Sequence, residues 1–282
     1  MNCYFNEKEQ QLKSCLQRIS NILLINGGFL DNPGLYTGEM GLVLFFFHYA
    51  RYTQNTLFLD YGYDLIDKIQ NRIHQETSID YKQGLAGIGS AFEYLAQKKI
   101  IEVDTGELLE DFDDQIFSIQ NIHDLSLEEI VSIAYYAIWR ISERNSNKKY
   151  LLKTILPQVV NAIDEWQSIH GLTHPEIDFL KNIIKSESTN FLRESVTNIP
   201  AWDRLYNKDS QGVYISELSQ HCREIMSNND IFRTNTIELG LRNGLAGMGM
   251  SLLTELDENV GVSWTSLILN NFIQKKNEPL LV

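Results

Sequence analysis

Proline is scarce in this 282-residue chain, five in all, and nowhere does it gather with glycine and serine into a linker. That scarcity argues against flexibly joined modules and for one continuous domain over residues 1–282. No convincing stretch alternates apolar and polar residues with a period of two, so no sheet is expected. The three cysteines, Cys3, Cys15 and Cys222, form neither a Cys-x-x-Cys pair nor an even framework. A disulfide-stapled secreted fold is not indicated, and a reduced cytoplasmic compartment fits. The apolar run from Gly41 to Tyr49 is far too short to span a bilayer. The start, Met1-Asn-Cys-Tyr-Phe-Asn-Glu-Lys-Glu9, is polar and lacks the apolar centre of a signal peptide. Positive charge is short as well. A net charge of −13 argues against nucleic acid and against anionic membrane surfaces as partners.

What the chain does have is enough apolar material for a packed core, 43% hydrophobic and 11% aromatic residues, and three related glycine phrases. They read Gly34-Leu-Tyr-Thr-Gly38-Glu-Met-Gly41, Gly84-Leu-Ala-Gly87-Ile-Gly89 and Gly244-Leu-Ala-Gly247-Met-Gly249. Each opens an apolar run of helical length. Gly38 and Gly84 are 46 residues apart, and further steps of similar size reach segments beginning near Glu129 and Pro175. A period of roughly 45 residues is the mark of a repeat protein whose unit is a pair of helices.

Leu12, Leu16, Ile19 and Leu23 recur at helical spacing within 6–26, and Asn32-Pro33-Gly34 then breaks the pattern. Helices are expected after Gly38, over Leu57–Ile73, Gly87–Lys98, Leu108–Phe117 and Leu127–Ser142. Others are expected over Tyr150–Ile169, Glu176–Ile184 and Tyr214–Met226, and after Gly244. Glycine at the start of alternate helices lets backbones approach closely and permits turn conformations closed to other residues. That suits an all-α toroid of inner and outer antiparallel helices, with Phe45, Phe92 and Leu252 buried on the inner ones. Helix starts gathered at one end of such a ring would offer unpaired N–H groups to a peptide carboxylate or carbonyl.

The phrases Gly84-Leu-Ala-Gly-Ile-Gly-Ser-Ala-Phe-Glu-Tyr-Leu95, Gly171-Leu-Thr-His174 and Asn243-Gly-Leu-Ala-Gly-Met-Gly249, with the tail Ser263-Trp264-Thr-Ser-Leu, resemble the lanthionine synthetase C-like family. The matching segments run from about residue 34 to about residue 270. The resemblance implies an α/α toroid. It also implies kinship with zinc enzymes that add peptide cysteine thiols to dehydrated serines or threonines. Such an enzyme holds zinc through three protein ligands and leaves one position for the substrate thiolate. In the family those ligands are a cysteine in a Trp-Cys-Tyr-Gly-like phrase and an adjacent Cys-His pair one repeat later.

This chain departs from that pattern. Ala201-Trp202-Asp203-Arg204 stands where Ala-Trp-Cys-Tyr is expected, so Asp203 replaces the metal cysteine and Arg204 the tyrosine. Ile199 takes the place of an arginine found four residues earlier in the family. No Cys-His-Gly phrase follows, and only about 40 residues separate Trp202 from Gly244, too few for two helix pairs. The repeat carrying the Cys-His pair is deleted or eroded beyond recognition. His221-Cys222 reverses the pair, but adjacent helical residues point about 100° apart and would hardly chelate one ion. No zinc or other cofactor is therefore expected. Glu107, Glu110, Asp111, Asp113 and Asp114 read as a solvated face without calcium-loop spacing.

The acid–base half of the family's site is better represented. His174 matches the family's histidine phrase, and Asp124, in His123-Asp124-Leu-Ser-Leu, matches its aspartate if one extra residue is allowed. Asp80, four residues before Gly84, competes for the same role. An aspartate before a helix is also the ordinary N-cap, and His174 before Pro175 falls in a turn. Trp202, Asp203 and Arg204 remain as candidate binding residues.

The resulting expectation is a shortened, divergent relative without zinc-dependent cyclase activity. It would bind a peptide substrate, or a partner enzyme, of a lanthipeptide-type maturation system. A metal-free cyclase using Asp124 and His174, a general helical-repeat scaffold and a two-carboxylate glycosidase are the alternatives.

Overall fold

The computed structural model describes residues 2–74, 76–119, 121–141, 149–171, 175–192, 208–227 and 238–268. Among these residues helix follows helix and no strand occurs. The order is α1 (Asn2–Asn26), α2 (Glu39–Thr53), α3 (Thr56–Arg72), α4 (Leu85–Gln97), α5 (Thr105–Leu108) and α6 (Glu110–Phe117). It continues with α7 (Leu127–Ile141), α8 (Lys149–His170), α9 (Pro175–Leu192), α10 (Lys208–Ser227) and α11 (Leu245–Leu256). Short 3-10 turns lie at Gly27–Phe29, Ile122–Asp124 and Ser263–Leu267.

The described residues form two compact units, one from 2–74 with 208–264 and one from 76–192 with 265–268. In the first unit, α2 is buried without interruption from Glu39 to Ala50, and α11 from Leu245 to Leu253. A helix buried on every side must be enclosed by others. Here α2 and α11 pack on each other, α3 covers α2, and α1 and α10 cover α11. The covering helices are one-sided. On α1 the stripe Leu12, Leu16, Ile19 and Leu23 is buried while the residues between are largely exposed.

The second unit is built the same way. Residues Leu85–Leu95 of α4 and Ile130–Arg140 of α7 are wholly enclosed, and these two helices pack together. Helix α6 packs on α4, and α8 and α9 pack on α7 and on each other. Phe45, Phe92 and Leu252 are 0%, 4% and 0% exposed, as the inner placement of their helices requires.

The three glycine phrases share one backbone construction. The N–H of the residue after the glycine bonds the carbonyl seven residues earlier: Glu39 to Asn32 at 2.8 Å, Leu85 to Ser78 at 2.9 Å, Leu245 to Glu238 at 2.9 Å. The loop folds back so tightly that a Cβ on Gly38 would lie 2.3 Å from the Asn32 oxygen. On Gly84 it would lie 2.1 Å from the Ser78 oxygen, and on Gly244 2.5 Å from the Gly240 oxygen. Their φ values of −111°, −116° and −109° are extended and open to any residue. Glycine is needed there for room, not for an unusual turn conformation, which corrects half of the sequence argument.

Close approach between helices comes five residues further along. A Cβ on Gly89 would meet the Tyr136 ring of α7 at 2.5 Å, and one on Gly249 the Phe45 ring of α2 at 2.3 Å. The last glycine of each Gly-Leu-Ala-Gly-x-Gly phrase is thus the seat for an aromatic ring of the adjacent inner helix.

Candidate functional site

The starts of the inner helices are where the sequence placed its candidate chemistry. The first N–H groups of a helix have no partner within it, and could have been free to hold a peptide oxygen. In α2, α4 and α11 the loop before each helix takes several of them. Besides Glu39, Leu85 and Leu245, the N–H groups of Met40 and Ala246 bond Pro33 and Leu239 at 3.3 and 3.0 Å. Gly84 also donates to Asp80 O at 2.9 Å and Gly247 to Gly240 O at 3.3 Å. The expected row of open donors is thus taken up in part by carbonyls of the loop itself.

Helix α7 starts differently. Ser126 and Glu129 form a capping box: Glu129 N–H donates to Ser126 Oγ at 3.3 Å, and Ser126 N–H to Glu129 Oε2 at 2.8 Å. Asp124 does not cap this helix. It is exposed in the 3-10 turn Ile122–Asp124, where Asn121 Nδ2 donates to its Oδ2. Asp80, the competing aspartate, shapes the loop before α4; its Oδ2 accepts Gln83 N–H at 2.7 Å. His174 lies outside the described residues, as do Trp202, Asp203 and Arg204.

The described region does hold a histidine–carboxylate pair, made by the residue beside Asp124. His123 Nδ1 meets Glu165 Oε2 of α8 at 2.6 Å, with both side chains about half exposed. His123 carries no motif signal of its own, because the motif singles out its neighbour Asp124.

Among the described residues no group of three or more His, Cys, Asp or Glu side chains is placed to hold a metal ion. Cys15 is half-buried on α1, and Cys222 is fully buried on α10. Burial, with Cys15 nearby, pushes the Cys222 thiol up to about 12, the reverse of what a thiolate ligand requires. His221 is partly exposed where Cys222 is not, so the two side chains diverge as helix geometry dictates.

Two buried ionic arrangements went unread in the sequence. Glu39, in the first turn of α2, has no exposed surface, and Lys68 Nζ and Arg72 Nη1 of α3 lie 3.1 and 2.9 Å from its two oxygens. Neither contact is aligned as a hydrogen bond. Lys68 donates instead to Gly28 O at 2.7 Å and Arg72 to Leu30 O at 2.8 Å, so α3 clasps both the 3-10 turn and the α2 start. In the second unit Arg140 of α7 joins Glu93 of α4 and Asp113 of α6, all three fully buried. Asp113 is therefore no part of a solvated acidic face, contrary to the expectation for 107–114. The available signal was a charged residue inside an otherwise apolar run, as at Glu93 in Ala91-Phe-Glu-Tyr-Leu95.

All-helical among the described residues, with one start design repeated at α2, α4 and α11, the chain has the build of a repeat protein of the α/α class. The sequence profile of lanthionine synthetase C-like proteins matches residues 30–187, more than half of its length. The chain belongs to the lanthionine synthetase C-like family. No curated protein and no solved structure gives a significant match. The third glycine phrase lies beyond the matched stretch, yet it repeats the seven-residue loop of the first two. Among the described residues no helix is long and apolar enough to cross a membrane.

Proposed function

We propose that this chain is a lanthionine synthetase C-like protein that has lost the zinc-dependent cyclase chemistry and works as the peptide-binding component of a peptide-modification system. The observation that carries the reading is Asp203 in the metal-cysteine position of Ala201-Trp202-Asp203-Arg204. The placement of the two described thiols supports it. Cys15 and Cys222 belong to the covering helices α1 and α10, and Cys222 is a buried, protonated packing residue. In this reading Trp202, Asp203 and Arg204 contact the peptide, and the chain acts as a single cytoplasmic domain beside the enzyme that dehydrates the peptide.

Elemental analysis after growth in zinc-supplemented medium tests the metal half of the proposal. Less than a tenth of a zinc per chain (an order-of-magnitude threshold, since a functional site binds stoichiometrically) is expected. About one zinc per chain, lost on Asp203→Ala, would overturn it. Incubation with a dehydrated, cysteine-containing peptide tests the other half. Binding by fluorescence anisotropy without consumption of peptide thiol is expected. Thiol loss with thioether formation would establish a cyclase, and loss of both activities in His174→Ala or Asp124→Ala would place that chemistry at those residues.

A further inference from the structure

Glu93, Asp113 and Arg140 converge from α4, α6 and α7, and none has any exposed surface. Arg140 gives Asp113 two hydrogen bonds, Nε to Oδ1 at 2.9 Å and Nη2 to Oδ2 at 2.6 Å. Tyr136 donates to the same Oδ1 at 2.7 Å. Glu93 receives less. Its Oε1 takes Arg140 Nη1, and its Oε2 faces Gln97 Nε2 at 3.1 Å. The Thr105 hydroxyl of α5 stands beside the same carboxyl.

Among the described residues, two carboxylates and one guanidinium leave one negative charge uncompensated where none of the three side chains is exposed. A buried ion without a partner costs several kcal/mol, and such a group surrenders its charge instead. We infer that Glu93 carries a proton in the folded protein, so that the cluster is neutral and acquires a buried charge when that proton leaves. The proton belongs to Glu93 because two nitrogens of the guanidinium, with the Tyr136 hydroxyl, go to Asp113, whereas Glu93 has one guanidinium nitrogen and otherwise only the neutral Gln97 and Thr105. A neutral Glu93 still accepts from Arg140 through its carbonyl oxygen. Its O–H can donate to Thr105 or to the Gln97 amide oxygen, since exchanging the two ends of that amide moves no heavy atom.

Burial accordingly raises the Glu93 carboxyl above the ordinary glutamate range, against the opposing pull of Arg140. The sign of the linkage follows. A carboxyl raised in the folded state contributes stability that is fully present below its unfolded pKa and is lost as pH rises through its folded pKa. The helices joined at this cluster therefore form a pH-sensitive element that loosens when Glu93 ionises.

Glu93→Gln mimics the protonated side chain and cannot ionise. Thermal unfolding of the full chain and this variant between about pH 5 and about pH 8, the range where folded proteins are usually most stable, reads the proton directly. The wild type should fall progressively below the variant as pH rises, and the gap should narrow toward the ordinary glutamate value of about 4.3 as pH falls. Parallel curves, whether coincident or offset, would overturn the inference, because they would mean that Glu93 has one charge state throughout. Infrared spectroscopy of the wild type with isotope-labelled glutamate is a second readout that needs no variant. A buried protonated-carboxyl band is expected at the acid end of that range, and its absence there would equally overturn the assignment.

Discussion

A methyl group on Gly84 would lie 2.1 Å from the carbonyl oxygen of Ser78, the same oxygen that accepts the Leu85 N–H at 2.9 Å. The obstacle is backbone rather than the end of a flexible side chain, so the loop itself must shift to admit it. Gly84→Ala should lower stability by about 1–3 kcal/mol in urea denaturation, the usual cost of overpacking. Gly28→Ala is the control, since a Cβ there would meet nothing within 4 Å. That variant should be neutral or slightly stabilised, by up to about 1 kcal/mol through reduced freedom of the unfolded chain. Equal behaviour of the two would remove the packing argument for the glycine phrases.

Arg140→Met keeps most of the side-chain volume but leaves Asp113 buried without its cation. Breaking a buried pair from one side costs about 3–5 kcal/mol. Denaturant unfolding should show a loss of that size, and a loss below about 1 kcal/mol would indicate a cluster reached by water.

Cys222 should resist thiol reagents. With its thiol pushed up to about 12 by burial, it stays protonated at neutral and mildly alkaline pH, and the reacting species is the thiolate. Mass spectrometry after brief alkylation at neutral pH should find it unmodified in the native protein and fully modified after denaturation. Cys15 is half-buried with its thiol also raised by burial, so its labelling should be slow but measurable. Native labelling of Cys222 at the denatured rate would contradict the packing of α10.

The start of α7 separates two neighbouring side chains by role. Ser126→Ala removes the capping hydroxyl and should cost about 1 kcal/mol. Asp124→Ala touches only an exposed turn and should stay within about 0.5 kcal/mol of wild type. Differential scanning calorimetry of both variants checks the contrast, and a larger loss for Asp124 would restore it as the cap.

Periodicity and glycine punctuation were sufficient to place the longer helices, because both are local properties of the chain, but not the four-residue α5 or the last turns of α9. The three enclosed aromatic and aliphatic positions followed from the same pattern. The glycine argument succeeded for space and failed for conformation, since nothing in the phrases says that the loop returns to the carbonyl seven residues back. Charges were read less well. Asp113 looks like its exposed neighbours until Arg140, 27 residues later, is brought against it. Glu39 looks like a motif residue until Lys68 and Arg72 reach it from α3. His123 pairs with a glutamate two elements away. Each is a long-range pairing, and a single sequence carries no record of which distant residue answers a charge.

The seven-residue return loops give α2, α4 and α11 a cap that travels with each helix. Glu238 and Leu239 close α11 just as Asn32 and Pro33 close α2, using no residue from outside the loop for those bonds. Chain can therefore be inserted or removed upstream of such a loop without stripping the helix of its first hydrogen bonds. A protein assembled from self-starting helices can shed a whole helix pair, together with the ligands that pair carried, and still begin the next one correctly.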